Sequence, residues 1–214
     1  MTLVNIFRLA VAPEDQPLLH EVGVHNLTTS HREEPGTLAM FVGEIKTQPA
    51  HYVVFEIYEN EDTYAIHRAS EQFNNYVTKA GPKLTERAAL QVEPIFLQEK
   101  LPSGAWVGPD HYFMKFARVK TSPAGQVAFE SSVLTNMKAS LAKEDGVLAM
   151  YAVREVADPT AWYFYEVYAS PEAYETHRQT AHFQTYITET KDMVAEKELL
   201  DLVNDASMIQ GKLG

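Results

Sequence analysis

The chain opens on an apolar run, Leu3, Val4, Ile6, Phe7 and Leu9, that gives out before Pro13, so residues 3–9 read as a β-strand. Pro13 then sits where a helix can begin, because proline is tolerated in a first turn. Leu18, Leu19, Val22 and Leu27 recur at helical spacing behind it, and the helix should stop before Gly36. Two strands follow, 37–45 and 52–58, with Pro49 in the turn between them. Residues 61–77 read as helical with a break near Ala69 and Ser70, and a last strand is expected over 90–97. The order β-α-β-β-α-β is the ferredoxin-like pattern, an antiparallel sheet with helices on one face.

The whole pattern occurs twice. Shifted by 110 positions, Arg8 falls on Arg118, Pro13 on Pro123, Asn26 on Asn136, Glu34 on Glu144 and Gly36 on Gly146. Farther on, Glu56 falls on Glu166, Tyr58 on Tyr168, Tyr64 on Tyr174, His67 on His177, Phe73 on Phe183 and Tyr76 on Tyr186. One constant shift over this length identifies a tandem duplication. The second copy carries its strands at 111–119, 147–156, 162–168 and 200–209, with a helical stripe of Val127, Phe129, Val133, Leu134, Met137 and Leu141. The fold class expected is α+β: two ferredoxin-like units, 1–98 and 111–214, packed sheet to sheet as an intramolecular dimeric α+β barrel. Residues 99–110 form the linker, marked by Pro102, Gly104, Gly108 and Pro109, with Trp106 anchoring it to a surface.

Charge and composition narrow the function. The net charge of −11 disfavours a nucleic-acid or anionic-membrane partner. With no cysteine, disulfides, thiolate metal sites and cysteine nucleophiles are excluded. No apolar run reaches the ~20 residues that cross a bilayer, and the amino terminus lacks the basic flank of a signal peptide. The expected location is the cytoplasm, and the expected state a monomer with an internal pseudo-dimer, a further homodimer being left open.

The chemistry-bearing residues that recur lie on the second hairpin strand and the helix after it. Alternation puts Val54, Glu56 and Tyr58 on one face of the strand. Tyr64 and His67, three apart, share a helical face, so His67 could approach Glu56. A carboxylate beside an imidazole raises its basicity, and such a pair can take a proton from a phenol or quinol. Glu56 with His67 and Glu166 with His177 are therefore the candidate catalytic residues. Tyr58, Tyr64, Phe73, Tyr168, Tyr174, Phe183 and the matched helical Asn26 and Asn136 are the candidate substrate contacts. A plainer reading competes: a buried Glu–His pair is often a satisfied core contact, and Arg8 offers Glu56 another partner. His20, His25 and His31 share no helical face and read as surface, so no metal site is expected.

This order of strand Glu, helix His and following aromatic resembles the antibiotic-biosynthesis-monooxygenase (quinol-monooxygenase-like) superfamily, over about nine-tenths of the chain. The resemblance implies oxidation of a quinol or related aromatic by dioxygen with no cofactor. A small aromatic or apolar metabolite and dioxygen are then the partners. Alternatives within the same resemblance are an isomerase and a non-catalytic binding module. Heme-degrading relatives carry an axial His four residues after the second-helix aromatic. Here Val77 and Ile187 stand there, and no heme is expected. The bulkier run from Trp162 to Tyr165, against Tyr52 to Phe55, predicts a narrower pocket in the second unit.

Overall fold

The computed structural model describes residues 1–109 and 112–214; Asp110, the expected end of the linker, and His111, the expected start of the second unit and of its first strand, lie outside the described residues. The first repeat runs β1 (Leu3–Val11), α1 (Gln16–Glu33), β2 (Thr37–Ile45), β3 (His51–Tyr58), α2 (Glu61–Ala69), α3 (Glu71–Ala80) and β4 (Leu84–Glu99). A short strand, β5 (Gly104–Val107), follows. The second repeat runs β6 (Phe113–Thr121), α4 (Gln126–Lys143), β7 (Val147–Glu155), β8 (Ala161–Tyr168), α5 (Pro171–Gln179), α6 (Ala181–Thr190) and β9 (Val194–Ile209). The fold class is the α+β tandem ferredoxin-like one expected. No helix among the described residues is long and apolar enough to cross a membrane.

Local chemistry explains the boundaries. Pro13 and Pro123 each open a short 3-10 turn that leads into α1 or α4. The break between α2 and α3 falls at Ser70, whose extended backbone ends one helix while its hydroxyl accepts from the Phe73 N–H of the next. Thr180 does the same for α5 and α6 through the Phe183 N–H. Gly36 is required by close approach: a Cβ there would lie 2.3 Å from Thr63 Cγ2, in the first turn of α2. Gly146 meets Ala173 in the same way, at 2.6 Å.

The last strands are longer than their hydrophobic pattern suggests. β4 and β9 begin at Leu84 and Val194, in stretches that are mostly exposed and polar, so no apolar alternation marks them. Both also continue past the point where sequence identity between the copies fades, because a backbone ladder does not require matching side chains.

The chain divides into two compact units that cut across the repeats. Unit 1 comprises residues 1–92, 101–109 and 202–212, and unit 2 comprises 93–100, 112–201 and 213–214. In unit 1, β3 lies between β1 and β2, β1 also pairs with β4 over Asn5 to Val11, and β2 pairs with β9 from Ala39 to Ile45. Part of the expected linker is a strand: β5 pairs with β9, with Trp106 opposite Ser207. In unit 2, β8 lies between β6 and β7, β4 borders β7, and β9 borders β6. The core of unit 1 includes Leu27, Met40 and Tyr58 packed with Ala206 and Met208 of β9, and that of unit 2 centres on Phe129, Val133, Met150, Trp162 and Phe164.

A fragment of residues 1–110 lacks the segment that covers β2. Its bare edge and the uncovered Met40 and Leu27 should make it self-associate. Light scattering after size exclusion is expected to show oligomers; a monomeric fragment with cooperative unfolding would contradict the assignment of 202–212 to this unit.

Candidate functional site

Each unit is organised around one carboxylate. Glu34 caps the carboxy-terminal end of α1, its backbone N–H returning to Ser30 O. Its side chain is 6% exposed and accepts three hydrogen bonds: from His67 Nδ1 at 2.8 Å, Gln72 Nε2 at 2.5 Å and Thr37 Oγ1 at 2.8 Å. Those donors stand on α2, α3 and β2. Burial alone would raise the pKa of Glu34, but the hydrogen bond and charge of His67, with Thr37 and Ser30, outweigh it and hold Glu34 below the ordinary range. An ionised carboxylate only accepts, so Nδ1 of His67 carries the hydrogen. His67 is 0% exposed, and its Nε2 has no hydrogen-bond partner. The ring lies between Phe73, at 4.9 Å, and Tyr58, at 5.5 Å.

Unit 2 repeats this with two changes, one of them Val147 at the position of Thr37, which offers no side-chain donor. Glu144 accepts from His177 Nδ1 at 3.0 Å, and His182 takes the position of Gln72, with Nε2 2.6 Å from the same carboxylate oxygen. Both histidines hold Glu144 below the ordinary range against the opposing effect of burial. Among the described residues, Glu144, His177 and His182 are the one group of such ligands close enough to share a cation. Their atoms are already satisfied by one another. His20, His25 and His31 do not gather; His20 instead meets Asp205 at 2.9 Å.

The imidazole of His67 thus meets a different carboxylate from the one its spacing suggested. Glu56 accepts from the Tyr58 hydroxyl at 3.0 Å, and Glu166 from Tyr168 at 2.8 Å. Arg8 is not opposite Glu56 either: the β1–β3 register puts Arg8 against Val53 and Asn5 against Glu56. In unit 2 the Asn5 position is Lys115, which pairs with Asp201 at 2.5 Å. Burial raises the pKa of Glu56, and the charge of His67 and the Tyr58 hydrogen bond only partly offset it.

A cavity lies over Glu56. Its volume is about 100 Å³, and apolar and aromatic side chains dominate its wall, among them Leu19, Met40, Val54, Tyr64, Phe73 and Tyr76. The polar groups reaching it are Glu56, Asn26, Arg87 and Asp205. Asn26 is 6% exposed and its Oδ1 has no partner. Unit 2 has the equivalent cavity, lined by Glu166, Asn136, Tyr174, His177, Phe183 and Lys197, but of about 60 Å³. It is the narrower of the two, as expected.

Of the candidate residues, Glu56, Asn26, Tyr64 and Phe73 therefore come together around one cavity, and Glu166, Asn136, Tyr174, Phe183 and His177 around the other. His67, Tyr58 and Tyr168 lie behind the walls as fully buried supports. Sequence reasoning missed Glu34 and Glu144 as partners of the histidines. Their signal was present, since they match across the repeat, but they sit in a loop 33 residues from the imidazole.

The profile of the family described as antibiotic biosynthesis monooxygenase matches residues 2–79 and again 113–189. Among solved structures, a "putative monooxygenase" from Lactobacillus acidophilus NCFM is similar with a TM-score of 0.91 at 26% identity, over 98% of this chain and 97% of that one. Another so described, from Fusobacterium nucleatum, has a TM-score of 0.89 at 19% identity, over 98% and 95%. An anthrone oxidase-like protein has a TM-score of 0.60 at 16% identity, over 99% and 95%. The last two, at these identities, bear on the fold alone. No protein of curated function matches the chain.

The two carboxylates of unit 1 should respond oppositely to change. Glu34→Ala strands three donors, and about 3–5 kcal/mol of stability should be lost, as when one member of a buried pair is removed. Glu56 has its pKa raised, so its contribution to stability is complete below the ordinary carboxylate range and is lost as pH rises through its folded value. Glu56→Gln cannot ionise and should gain on the wild type as pH rises from 4 to 8. Chemical denaturation at several pH values checks both; an opposite pH trend would contradict the assignment.

Proposed function

The chain belongs to the antibiotic biosynthesis monooxygenase family, and from that premise we propose that it is a cofactor-independent monooxygenase acting on a quinol or related small aromatic. The observation that carries this reading is Glu56: a carboxylate on the floor of an apolar, aromatic-walled cavity, where burial makes it a stronger base than usual. The mostly apolar wall suits a flat apolar body, with Glu56, Asn26, Arg87 and Asp205 as the polar groups that could orient it.

In the proposed reaction Glu56 takes the proton of a ring hydroxyl. The phenolate is electron-rich enough for dioxygen to oxidise it at a ring carbon. One oxygen atom is retained and the other leaves as water, so a hydroquinone and one dioxygen yield a hydroxyquinone and one water. Tyr58 fixes the carboxylate by its hydrogen bond. His67, held by Glu34, acts on Glu56 through its charge when protonated and so is a positioning residue. Glu166, Tyr168 and His177 are the counterparts in unit 2.

Oxygen uptake by chelator-treated protein over a panel of hydroquinones tests this. Glu56→Gln should lower the rate about 10²–10⁴-fold, the usual worth of a positioned base, without loss of folding. No uptake across the panel would refute the oxidation. Turnover of the same compounds under nitrogen would point instead to an isomerase, and binding without turnover to a binding module.

A further inference from the structure

The cavity of unit 1 borders a position on α1 that carries no side chain, Gly23. A Cβ placed there would meet no heavy atom within 4 Å, and Gly23 lines the cavity. Neither a positive φ nor a close backbone neighbour calls for glycine at this position. A glycine inside an 18-residue helix weakens that helix, so the open space it leaves is the feature that sets it apart. One repeat later the residue is Val133, buried in the core of unit 2.

Other positions around the cavity, on α1 and on β3, have changed in the same sense. Leu19, Tyr52 and Val54 line the space in unit 1, and their counterparts are Phe129, Trp162 and Phe164. Phe129 meets Trp162 edge-on with centroids 5.5 Å apart, and Trp162 stacks on Phe164 at 6.2 Å. Other changes run the other way, among them Phe7 to Ala117, Val42 to Ala152, Leu9 to Val119 and Leu84 to Val194. The outcome is about 100 Å³ in unit 1 against about 60 Å³ in unit 2. A cavity of roughly 150 Å³ encloses benzene, and one water in the liquid takes about 30 Å³. At about 100 Å³ the larger space falls short of enclosing a whole ring, so a single ring seated there would protrude from it, whereas the smaller space has little more than half that room. Each space has the matched asparagine as a buried acceptor without a donor, Asn26 Oδ1 in the larger and Asn136 Oδ1 in the smaller, so the difference between them is one of room and not of polar groups.

We propose that unit 1 alone holds the ligand, that Gly23 is the residue that sizes its pocket for a single aromatic ring, and that a hydroxyl on this ring donates to Asn26 Oδ1. Unit 2 is then the copy whose pocket is plugged by its own aromatic cluster. That the ring is a hydroquinone rests on the function proposed above; the asymmetry of the pockets does not.

The test is titration of the full chain with hydroquinone under nitrogen, followed by calorimetry or ligand NMR. One site per chain is expected. Gly23→Val should weaken binding at least tenfold while the Tm stays level or rises, because valine favours a helix over glycine and finds room. Asn26→Leu should erase the preference for hydroquinone over benzene. Two sites per chain, no detectable site, or unchanged binding to Gly23→Val would each overturn the proposal. Oxygen uptake separates the two readings. If hydroquinone binds once and Gly23→Val blocks it, but no oxygen is consumed, the pocket assignment stands and the oxidation fails. If Gly23→Val consumes oxygen at the wild-type rate, the oxidation stands and the assignment fails.

Discussion

In unit 1 one buried carboxylate holds two helices to the start of β2. Glu34 receives donors from α2, α3 and β2 on its two carboxylate oxygens while its backbone N–H caps α1, so one residue ties four elements together. A charge so deeply buried is tolerable only when fully hydrogen-bonded. Gly36 makes the convergence sterically feasible, since any side chain there would collide with Thr63 and push α2 away. Glu144 and Gly146 repeat the arrangement in part, with His182 substituting for Gln72 and with Val147, which has no side-chain donor, at the position of Thr37. The cavity walls depend on it, because Tyr64 and Phe73 are carried by the two helices that Glu34 fixes.

The second carboxylate, Glu56, has the opposite environment. It has one tyrosine hydroxyl and a low-dielectric cavity, and its charged form is disfavoured where that of Glu34 is favoured. The two carboxylates are thus pushed apart, the surroundings of one favouring its charged form and those of the other its neutral form. His67 stands between the two roles. It is bonded to the structural carboxylate, and its charge reaches the one at the cavity.

Much of this was legible before the structure. The constant 110-residue shift identified the duplication, and the break at Ser70, the glycine stops and the narrower second pocket were all readable from residue types. What was not legible has physical causes. Glu34 is invisible to periodicity because it lies in a loop, and spacing along one strand and one helix favoured Glu56 as the partner of His67. The start of β4 at Leu84 carries exposed polar residues and so no alternation. The membership of 202–212 in unit 1 is a matter of long-range pairing, to which local pattern is blind. Gly23 carries no signal in the sequence, and only the empty space beside it marks it.

The central claim is that the two carboxylates of unit 1 are driven in opposite directions by their surroundings. Carbon-13 NMR titration of side-chain-labelled glutamate, with Glu34 and Glu56 identified through their Gln variants, measures this directly. The account predicts that Glu34 titrates below the ordinary value of 4.5 and Glu56 above it. Glu56 titrating at or below 4.5, or Glu34 above it, would contradict the account.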